Sequence, residues 1–311
     1  AFSPDEQTLA LCNPANGAVA LALYDLVDGT LTTLPLVHAD AIYAVAFSPD
    51  GSLLATGGVD ERVVLWDVRG QTNLWTQRID FIFAASIAFS PDGQRLFASG
   101  YDQNISGWNL ENPEQVQSWR GHAARINGLA MAPKGDSFAS ASDDGTVRIW
   151  PLQPPQATSA VSSAEPFHLL FSPADLPAIK SAEVNVYGIA VSPAQDRLAA
   201  AEYRRLLLCD VRTGTVLTHV AAGDIFSPGR PQLMGLAFSP DGHDLAVGSS
   251  DGRVAFLDAT TLRRVREPIQ LHGSQISHIA YAGNGSILVT GGGFGTGIKL
   301  TDTASGRVIR E

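Results

Sequence analysis

The residue types that most often hold metals or carry out catalysis are sparse in this sequence. Its seven histidines lack the His-Glu-x-x-His spacing of zinc enzymes, and its two cysteines, Cys12 and Cys209, do not form a Cys-x-x-Cys pair. The Asp-Gly pairs, as at Asp50, Asp92 and Asp241, each stand alone where a turn is predicted, so none indicates a calcium loop. We therefore expect no metal, no cofactor and no catalytic residues.

A glycine-rich segment late in the chain is the other candidate for chemistry. Its glycines are Gly291, Gly292, Gly293, Gly295 and Gly297. A phosphate-binding loop needs a Lys-Ser or Lys-Thr pair after the glycines and a βαβ unit around them, and the sequence has neither here. We interpret the segment as a turn between two strands.

Composition and charge indicate a folded, acidic protein. Of its 311 residues 45% are apolar and 17% charged, and 30 glycines with 18 prolines supply many turn positions. The net charge of −10 disfavours a nucleic-acid partner, because affinity for a phosphate backbone rests mainly on clustered Lys and Arg. We interpret the short basic run of Arg263, Arg264 and Arg266 as a solvated outer face.

The two cysteines and the hydropathy of the sequence indicate the cellular location. Cys12 and Cys209 fall in predicted strands far apart in the chain, as expected of small buried residues rather than of a disulfide framework. No stretch approaches the roughly 20 apolar residues of a membrane span, and no signal peptide opens the sequence. We expect a cytoplasmic location and no membrane partner.

An internal repeat dominates the sequence. The phrase Ala-Phe-Ser-Pro-Asp begins at residues 1, 46, 88 and 237, and degraded copies begin at 130, 190 and 280. Most copies lead through a turn to a small-residue strand, such as LLATGG from Leu53, and then to an alternating strand, such as RVVLWD from Arg62. The spacing of about 42 to 60 residues is close to that of one four-stranded propeller blade, ~40 to 45 residues.

These repeats predict an all-β chain of seven four-stranded units. A single twisted sheet cannot bury both faces, whereas sheets stacked face to face around a ring bury every face except the rims. The repeats resemble those of the WD40 family over essentially the whole chain. The resemblance implies a seven-bladed β-propeller with four antiparallel strands in each blade.

The resemblance also implies a buried polar set in two blades. In WD40 repeats a His, a Ser or Thr, an Asp and a Trp form a hydrogen-bonded tetrad. With identical spacing, the second repeat has His38, Thr56, Asp60 and Trp66, and the fourth has His122, Ser140, Asp144 and Trp150. Such a set gives each buried polar group a partner, so we expect these residues to be structural rather than catalytic.

Other repeats keep only parts of this tetrad. The third has Asp102 and Trp108, but Ala98 takes the hydroxyl position. The seventh has His272, while Phe294 takes the position of the Asp. These departures put the rigidity of individual turns in doubt, not the presence of the blades.

The first copy begins at the end of its innermost strand, so we expect a first blade shortened at that strand and a chain that is part of a longer protein. The predicted blades are residues 1–37, 38–79, 80–120, 121–171, 172–220, 221–270 and 271–311. Two insertions, at 153–165 and 172–183, and a shorter one from Gly223 interrupt the pattern. Long loops often carry function, but insertions without function are equally permitted, so both interpretations stay open.

WD40 propellers usually bind proteins with the top face, where the His-containing loops lie. The positions that the resemblance assigns to this face are Tyr43, Phe83, Tyr101, Arg125, Asn127, Asp143, Asn185, Tyr187, Glu202, Gln232 and Met234. Four of them are aromatic and surround one Arg, a mixture enriched at interfaces. The alternative is that Tyr43 and Phe83 only pack against neighbouring loops.

The function expected from these features is that of a non-catalytic scaffold or sensor module. It would bind a protein or peptide on the top face and be attached to a signalling or effector domain. A propeller enzyme would instead need inward-facing His, Asp or Glu at the central channel, and the inner-strand positions are mostly Ala, Val, Ile and Leu. That enzyme and a structural oligomerisation unit remain the alternatives.

Overall fold

The computed structural model describes residues 1–12, 20–35, 37–79, 83–132, 134–152, 168–171, 185–194, 196–292 and 297–310, with only the backbone of 168–171. The insertions at 153–165 and 172–183, and Gly293, Phe294 and Gly295, lie outside these residues. The described chain is almost entirely β-structure, as the repeat pattern predicts.

The strands form seven antiparallel sheets, and in each sheet the strands follow one another in chain order. The first three sheets contain β1 (Thr8–Cys12), β2 (Leu21–Asp25) and β3 (Leu31–Thr33); β4 (Ile42–Phe47), β5 (Leu53–Gly58), β6 (Arg62–Asp67) and β7 (Thr72–Arg78); and β8 (Ala84–Phe89), β9 (Arg95–Gly100), β10 (Asn104–Asn109) and β11 (Asn112–Arg120).

The fourth and fifth sheets contain β12 (Ile126–Met131), β13 (Ser137–Ser142), β14 (Val147–Pro151) and β15 (His168–Phe171), and then β16 (Val186–Val191), β17 (Arg197–Glu202), β18 (Arg205–Asp210) and β19 (Val216–Ala221). The last two contain β20 (Leu233–Phe238), β21 (Asp244–Ser249), β22 (Arg253–Asp258) and β23 (Ile269–Gln270), and then β24 (Ile276–Ala282), β25 (Ile287–Gly292), β26 (Ile298–Asp302) and β27 (Val308–Arg310). Two short helical turns, α1 (Ala222–Ile225) and a 3-10 turn (Gly283–Gly285), lie between strands.

This architecture confirms the predicted seven-bladed β-propeller. Six sheets have four strands and the first has three, with Phe2 forming a single bridge to Leu9 where an inner strand would lie. The first blade is therefore shortened at its inner strand, as the sequence indicates.

Side-chain exposure differs between the middle and the outer strands of a sheet. The second and third strands are almost fully buried, as in β5 and β6, whereas the outer strand β7 is mostly exposed. Small residues allow sheets to approach: a Cβ added to Gly57 would lie 2.5 Å from the Cβ of Ala84 in the next sheet. A larger side chain at Gly57 would push these two sheets apart.

The chain divides into two compact units, residues 1–140 with 149–167 and residues 141–148 with 168–311. Within the first unit, one apolar cluster packs Leu54 and Trp66 of the second sheet against Leu21 and Leu23 of the first. The second unit repeats this arrangement where its fifth and sixth sheets meet. Neighbouring sheets thus share the core that neither could bury alone.

The recurring Ser-Pro-Asp-Gly turn is closed by its own side chains. The Ser48 hydroxyl donates to Asp50 Oδ1 at 2.6 Å and accepts from the Leu53 amide at 2.9 Å, while Gly51 takes a φ of +74°. Only glycine adopts that conformation without strain, which explains its place in the repeat. The hydrogen bond from Ser48 lowers the pKa of the Asp50 carboxyl.

The short insertion that begins at Gly223 is packed rather than free. Ile225 and Phe226 are 1% and 0% exposed. The Arg253 guanidinium lies 5.2 Å from the centre of the Phe226 ring and donates to Pro228 O at 3.3 Å. This segment therefore contributes to the core of the second unit.

The interpretation of the basic run as a solvated face holds for Arg263 and Arg264 but is wrong for Arg266. The Arg266 guanidinium lies 3.8 Å from the centre of the Phe256 ring, and its Nε is buried. Burial lowers the pKa of Arg266. The basic run alone could not show this burial, because the ring that attracts the Arg266 cation, Phe256, lies in the preceding strand β22.

Candidate functional site

The polar set of the second repeat forms one continuous network. His38 Nδ1 lies 2.9 Å from Asp60 Oδ1, His38 Nε2 lies 2.8 Å from Thr56 Oγ1, and Trp66 Nε1 donates to the same Thr56 oxygen at 3.0 Å. Asp60 also accepts from the Ala39 amide at 2.9 Å. Every member has its hydrogen bonds inside the protein, and the histidine, threonine and tryptophan are buried. The network thus braces the loop before β4 against β5 and β6.

The fourth repeat has corresponding contacts. His122 Nε2 lies 2.7 Å from Ser140 Oγ, which also accepts from Trp150 Nε1 at 2.7 Å. Asp144 accepts from the amide and hydroxyl of Thr146 at 2.9 and 2.6 Å. Ser140 thus contacts the histidine and accepts from the tryptophan, as Thr56 does in the second repeat.

The third repeat shows what the missing hydroxyl does. Trp108 is buried at 2% exposure, and its Nε1 has no hydrogen-bond partner among the described residues. The oxygen that would accept this proton in the other repeats is absent, because Ala98 occupies its position. An indole N–H is therefore buried without compensation.

Four residues that the sequence assigns to the top face come together in the first unit. The ring centres of Tyr43 and Phe83 are 5.1 Å apart, and those of Phe83 and Tyr101 are 5.2 Å apart. The Arg125 guanidinium lies 4.9 Å from the Phe83 ring centre and 5.3 Å from that of Tyr101. We call these four residues the aromatic cluster.

The elements that position the aromatic cluster are three consecutive sheets. Tyr43 projects from β4, Phe83 precedes β8, Tyr101 follows β9, and Arg125 precedes β12. Inner strands begin at equivalent places in each repeat, so residues far apart in sequence meet at one edge. Phe83 forms the centre, with the other three around it.

Exposure differs sharply within the aromatic cluster. Tyr43 and Tyr101 are 46% and 48% exposed, whereas Phe83 and Arg125 are half-buried. The Arg125 Nε is buried and has no hydrogen-bond partner among the described residues. Tyr43 packs against Phe83 and still leaves nearly half of its side chain exposed.

Tyr187 lies in the second unit, next to a residue that the sequence did not assign to the surface. Its ring centre is 6.3 Å from that of Tyr203, and its hydroxyl lies 3.4 Å from Asn185 Nδ2. The Arg204 guanidinium lies 5.3 Å from the Tyr203 ring centre. Tyr203 was overlooked because it occupies a turn position where this repeat departs from the WD40 pattern.

Glu202 is the member of the predicted surface that faces inward. It is 3% exposed, and its Oε2 accepts from Arg205 Nε at 3.0 Å and lies 2.9 Å from Nη2. Burial raises the pKa of Glu202, and the Arg205 charge opposes that effect. The remaining positions, Asn127, Asp143, Gln232 and Met234, are partly buried.

Comparison with known proteins identifies the repeat. The family model of the WD domain, G-beta repeat, matches residues 29–67, 83–109, 113–151 and 225–258. WD40 repeats thus form four segments of this seven-bladed β-propeller. All four aromatic-cluster residues lie in these matched segments.

Individual relatives match parts of this chain. It is 38% identical over 66 residues to the Intraflagellar transport protein 122 homolog of Homo sapiens, which covers 21% of the chain and 5% of that protein. It is 42% identical over 52 residues to the Small ribosomal subunit protein RACK1 of Schizosaccharomyces pombe, 17% of each. The chain thus spans a small part of the first of these relatives.

A solved structure resembles nearly the whole chain. A chain of the Crystal Structure of Mitotic Checkpoint Complex superposes with a TM-score of 0.76 at 20% identity, covering 94% of this chain and 82% of that one. At this identity the likeness shows the shared fold.

No group of three or more His, Cys, Asp or Glu side chains in the described ranges is placed to hold a metal ion. No described helix has the length and apolar character needed to cross a membrane.

Proposed function

We propose that this WD40 propeller is a protein-interaction scaffold or sensor module that binds a protein or peptide segment at the aromatic cluster. The observation that carries the proposal is the pair of half-exposed tyrosines beside Arg125, whose buried Nε has no partner among the described residues. Exposed aromatic groups around one Arg favour a recognition surface.

Each part of the aromatic cluster suits an incoming segment. Tyr43 and Tyr101 offer apolar ring faces together with hydroxyl groups, which suits contacts that are apolar on one side and wet on the other. Phe83 and Arg125 supply a half-buried floor, so the rings are held in place before binding. Little side-chain freedom is then lost when a partner binds.

Arg125 suggests what the partner must provide. Its guanidinium contacts the faces of two rings, which leaves its N–H groups to point away from them. A carbonyl or carboxylate oxygen of a bound segment would accept from the terminal N–H groups of this guanidinium. We expect the segment to place such an oxygen beside Arg125.

The relatives support an interaction role in general terms. One is named as a ribosomal subunit protein, and the solved structure with the same fold is part of a complex. The proposal includes a signalling or effector domain joined to the platform, because a platform without chemistry acts by bringing partners together. It also includes a cytoplasmic location, which suits two free cysteines.

Selection of a displayed random peptide library on the 311-residue chain tests the proposal. Enriched peptides should bind the wild type and lose binding to the double variant Tyr43→Ala, Tyr101→Ala. The matched control is Leu74→Ala, which removes an equally exposed apolar side chain from the outer strand β7. Enriched peptides that bind the double variant as well as the control would refute the site.

A further inference from the structure

Arg125 differs from every other arginine that is enclosed to a similar degree. Eight arginines of the described residues are partly buried. Seven of them donate to an oxygen atom of the chain: Arg62, Arg95, Arg148, Arg197, Arg205, Arg253 and Arg266. Within the part of the chain that the structure describes, Arg125 forms no hydrogen bond or ion pair, and its guanidinium lies over Phe83 and Tyr101.

The accessible part of the Arg125 guanidinium is its terminal end. Nε is enclosed and has no hydrogen-bond partner among the described residues. The two terminal nitrogens also lack a described partner, but unlike Nε they are not sealed from solvent. An acceptor therefore has to approach end-on, and two oxygens in one plane fit the two parallel N–H groups.

The rings of the aromatic cluster disfavour a cationic ligand. Lys and Arg side chains are attracted to aromatic faces. The faces of Phe83 and Tyr101 already carry Arg125, at 4.9 and 5.3 Å from the ring centres, so a second cation would meet a like charge there. An anion would instead neutralise a positive charge that is partly withdrawn from water, and this withdrawal costs free energy while the charge has no partner.

The anion that fits the aromatic cluster best is a side-chain carboxylate. Phosphorylated segments are bound by clusters of Arg, whereas the aromatic cluster has one. A C-terminal carboxylate is held by successive backbone N–H groups, and here the donors are guanidinium nitrogens. The exposed rings of Tyr43 and Tyr101 add apolar faces to the same cluster, which suit an apolar residue next to the acid.

We propose that the aromatic cluster binds acidic peptide segments, in which an Asp or Glu carboxylate accepts end-on from the two terminal nitrogens of Arg125. A neighbouring apolar side chain of the segment packs on Tyr43 or Tyr101. This partner class rests on the proposed function, since it concerns the same surface. Its consequence is selectivity for negative charge in a chain whose own net charge is −10.

Peptide selection on the wild-type chain supplies the ligands. A random library fused through its C-terminus to a coat protein offers no free C-terminal carboxylate, so any carboxylate that the selected peptides share comes from a side chain. Selected peptides that need Tyr43 and Tyr101 should share an Asp or Glu at one position, next to an apolar residue. Lys or Arg at that position, or no common charge, overturns the acidic partner.

Removing the charge from each side of the contact then identifies the partner of the acid. Replacing the shared acid by its amide in one synthetic, C-terminally amidated peptide should weaken binding to the wild type about 10-fold to 100-fold. The same replacement should change binding to Arg125→Met by less than about twofold, because methionine keeps an unbranched apolar stem over the rings but carries no charge. Arg69→Met, the same change at an exposed position, should behave like the wild type.

Arg125→Lys separates loss of charge from repacking of the rings. Lysine keeps the charge but not the paired N–H groups, so this variant should retain a weaker preference for the acid over its amide. A preference in Arg125→Met equal to that of the wild type overturns the proposal. Binding that depends on Tyr43 and Tyr101 but not on the acid refutes the acidic partner alone, whereas selected peptides that need neither tyrosine refute the proposed function.

Discussion

Replacing Thr56 by Val tests whether the buried network of the second repeat carries stability. The two side chains have nearly the same shape, but valine lacks the hydroxyl that lies 2.8 Å from His38 Nε2 and 3.0 Å from Trp66 Nε1. The Asp60 carboxylate can only accept, so His38 Nδ1 donates to it. The substitution leaves His38 Nε2 and Trp66 Nε1 buried without a partner.

The expected loss follows from these two groups. Each unsatisfied buried group costs ~1 to 3 kcal/mol, and removal of the buried hydroxyl returns part of that, so we expect a net destabilisation of about 3 kcal/mol. All five tryptophans lie in the first unit, so denaturant unfolding followed by tryptophan fluorescence reports on the unit that contains Thr56. Thr33→Val, at an exposed strand position, is the control and should change stability by less than about 0.5 kcal/mol. A Thr56→Val midpoint equal to that of the control would show that the network does not stabilise the blade.

Three further predictions concern the second, third and fifth repeats. Ala98→Ser should stabilise the first unit by about 1 kcal/mol, because the new hydroxyl can accept from the unpaired Trp108 Nε1; a lower denaturation midpoint would contradict this. Burial raises the pKa of Cys209 to about 12, so its thiol should react with Ellman's reagent at pH 8 only after unfolding, and fast labelling of the native chain would count against that burial. The hydrogen bond from Ser48 lowers the pKa of Asp50. The ionised Asp50 therefore stabilises the fold above its unfolded pKa of about 3.9, and this stabilisation is lost as the pH falls through the lower folded pKa. Acid unfolding of Ser48→Ala should begin at a higher pH than that of the wild type, and an unchanged onset would contradict this.

Much of the fold could be predicted because each blade is encoded locally. Turn residues such as Gly51 and the alternating strand from Arg62 recur at fixed spacing, and a sheet can form from each copy without information from distant parts of the chain. In the structure, β15 (His168–Phe171) completes the fourth sheet as its outer strand.

Contacts of individual side chains across strands could not be predicted. Arg266 belongs to a basic run that indicates a solvated surface, and only the structure shows that its guanidinium lies over the Phe256 ring and donates to Ala304 O in the next sheet. No local sequence pattern connects these residues.

The aromatic cluster was predicted as a set of positions but not as a geometry. The resemblance to WD40 repeats assigns Tyr43, Phe83, Tyr101 and Arg125 to one face, since each lies near an inner strand. The stacking of Arg125 on two rings and its unpaired Nε depend on rotamers, which spacing does not determine. Glu202 was assigned to the same face by its position in the WD40 repeat, and it is nevertheless buried against Arg205.

The most direct test of the proposed function is the dissociation constant of one selected peptide for the wild-type chain and for the double variant Tyr43→Ala, Tyr101→Ala. Loss of two aromatic anchors at about 1 to 2 kcal/mol each predicts a dissociation constant roughly 30-fold to 1000-fold larger, with an unchanged melting temperature. A ratio of about two or less between folded proteins would contradict the claim that the aromatic cluster is the binding surface.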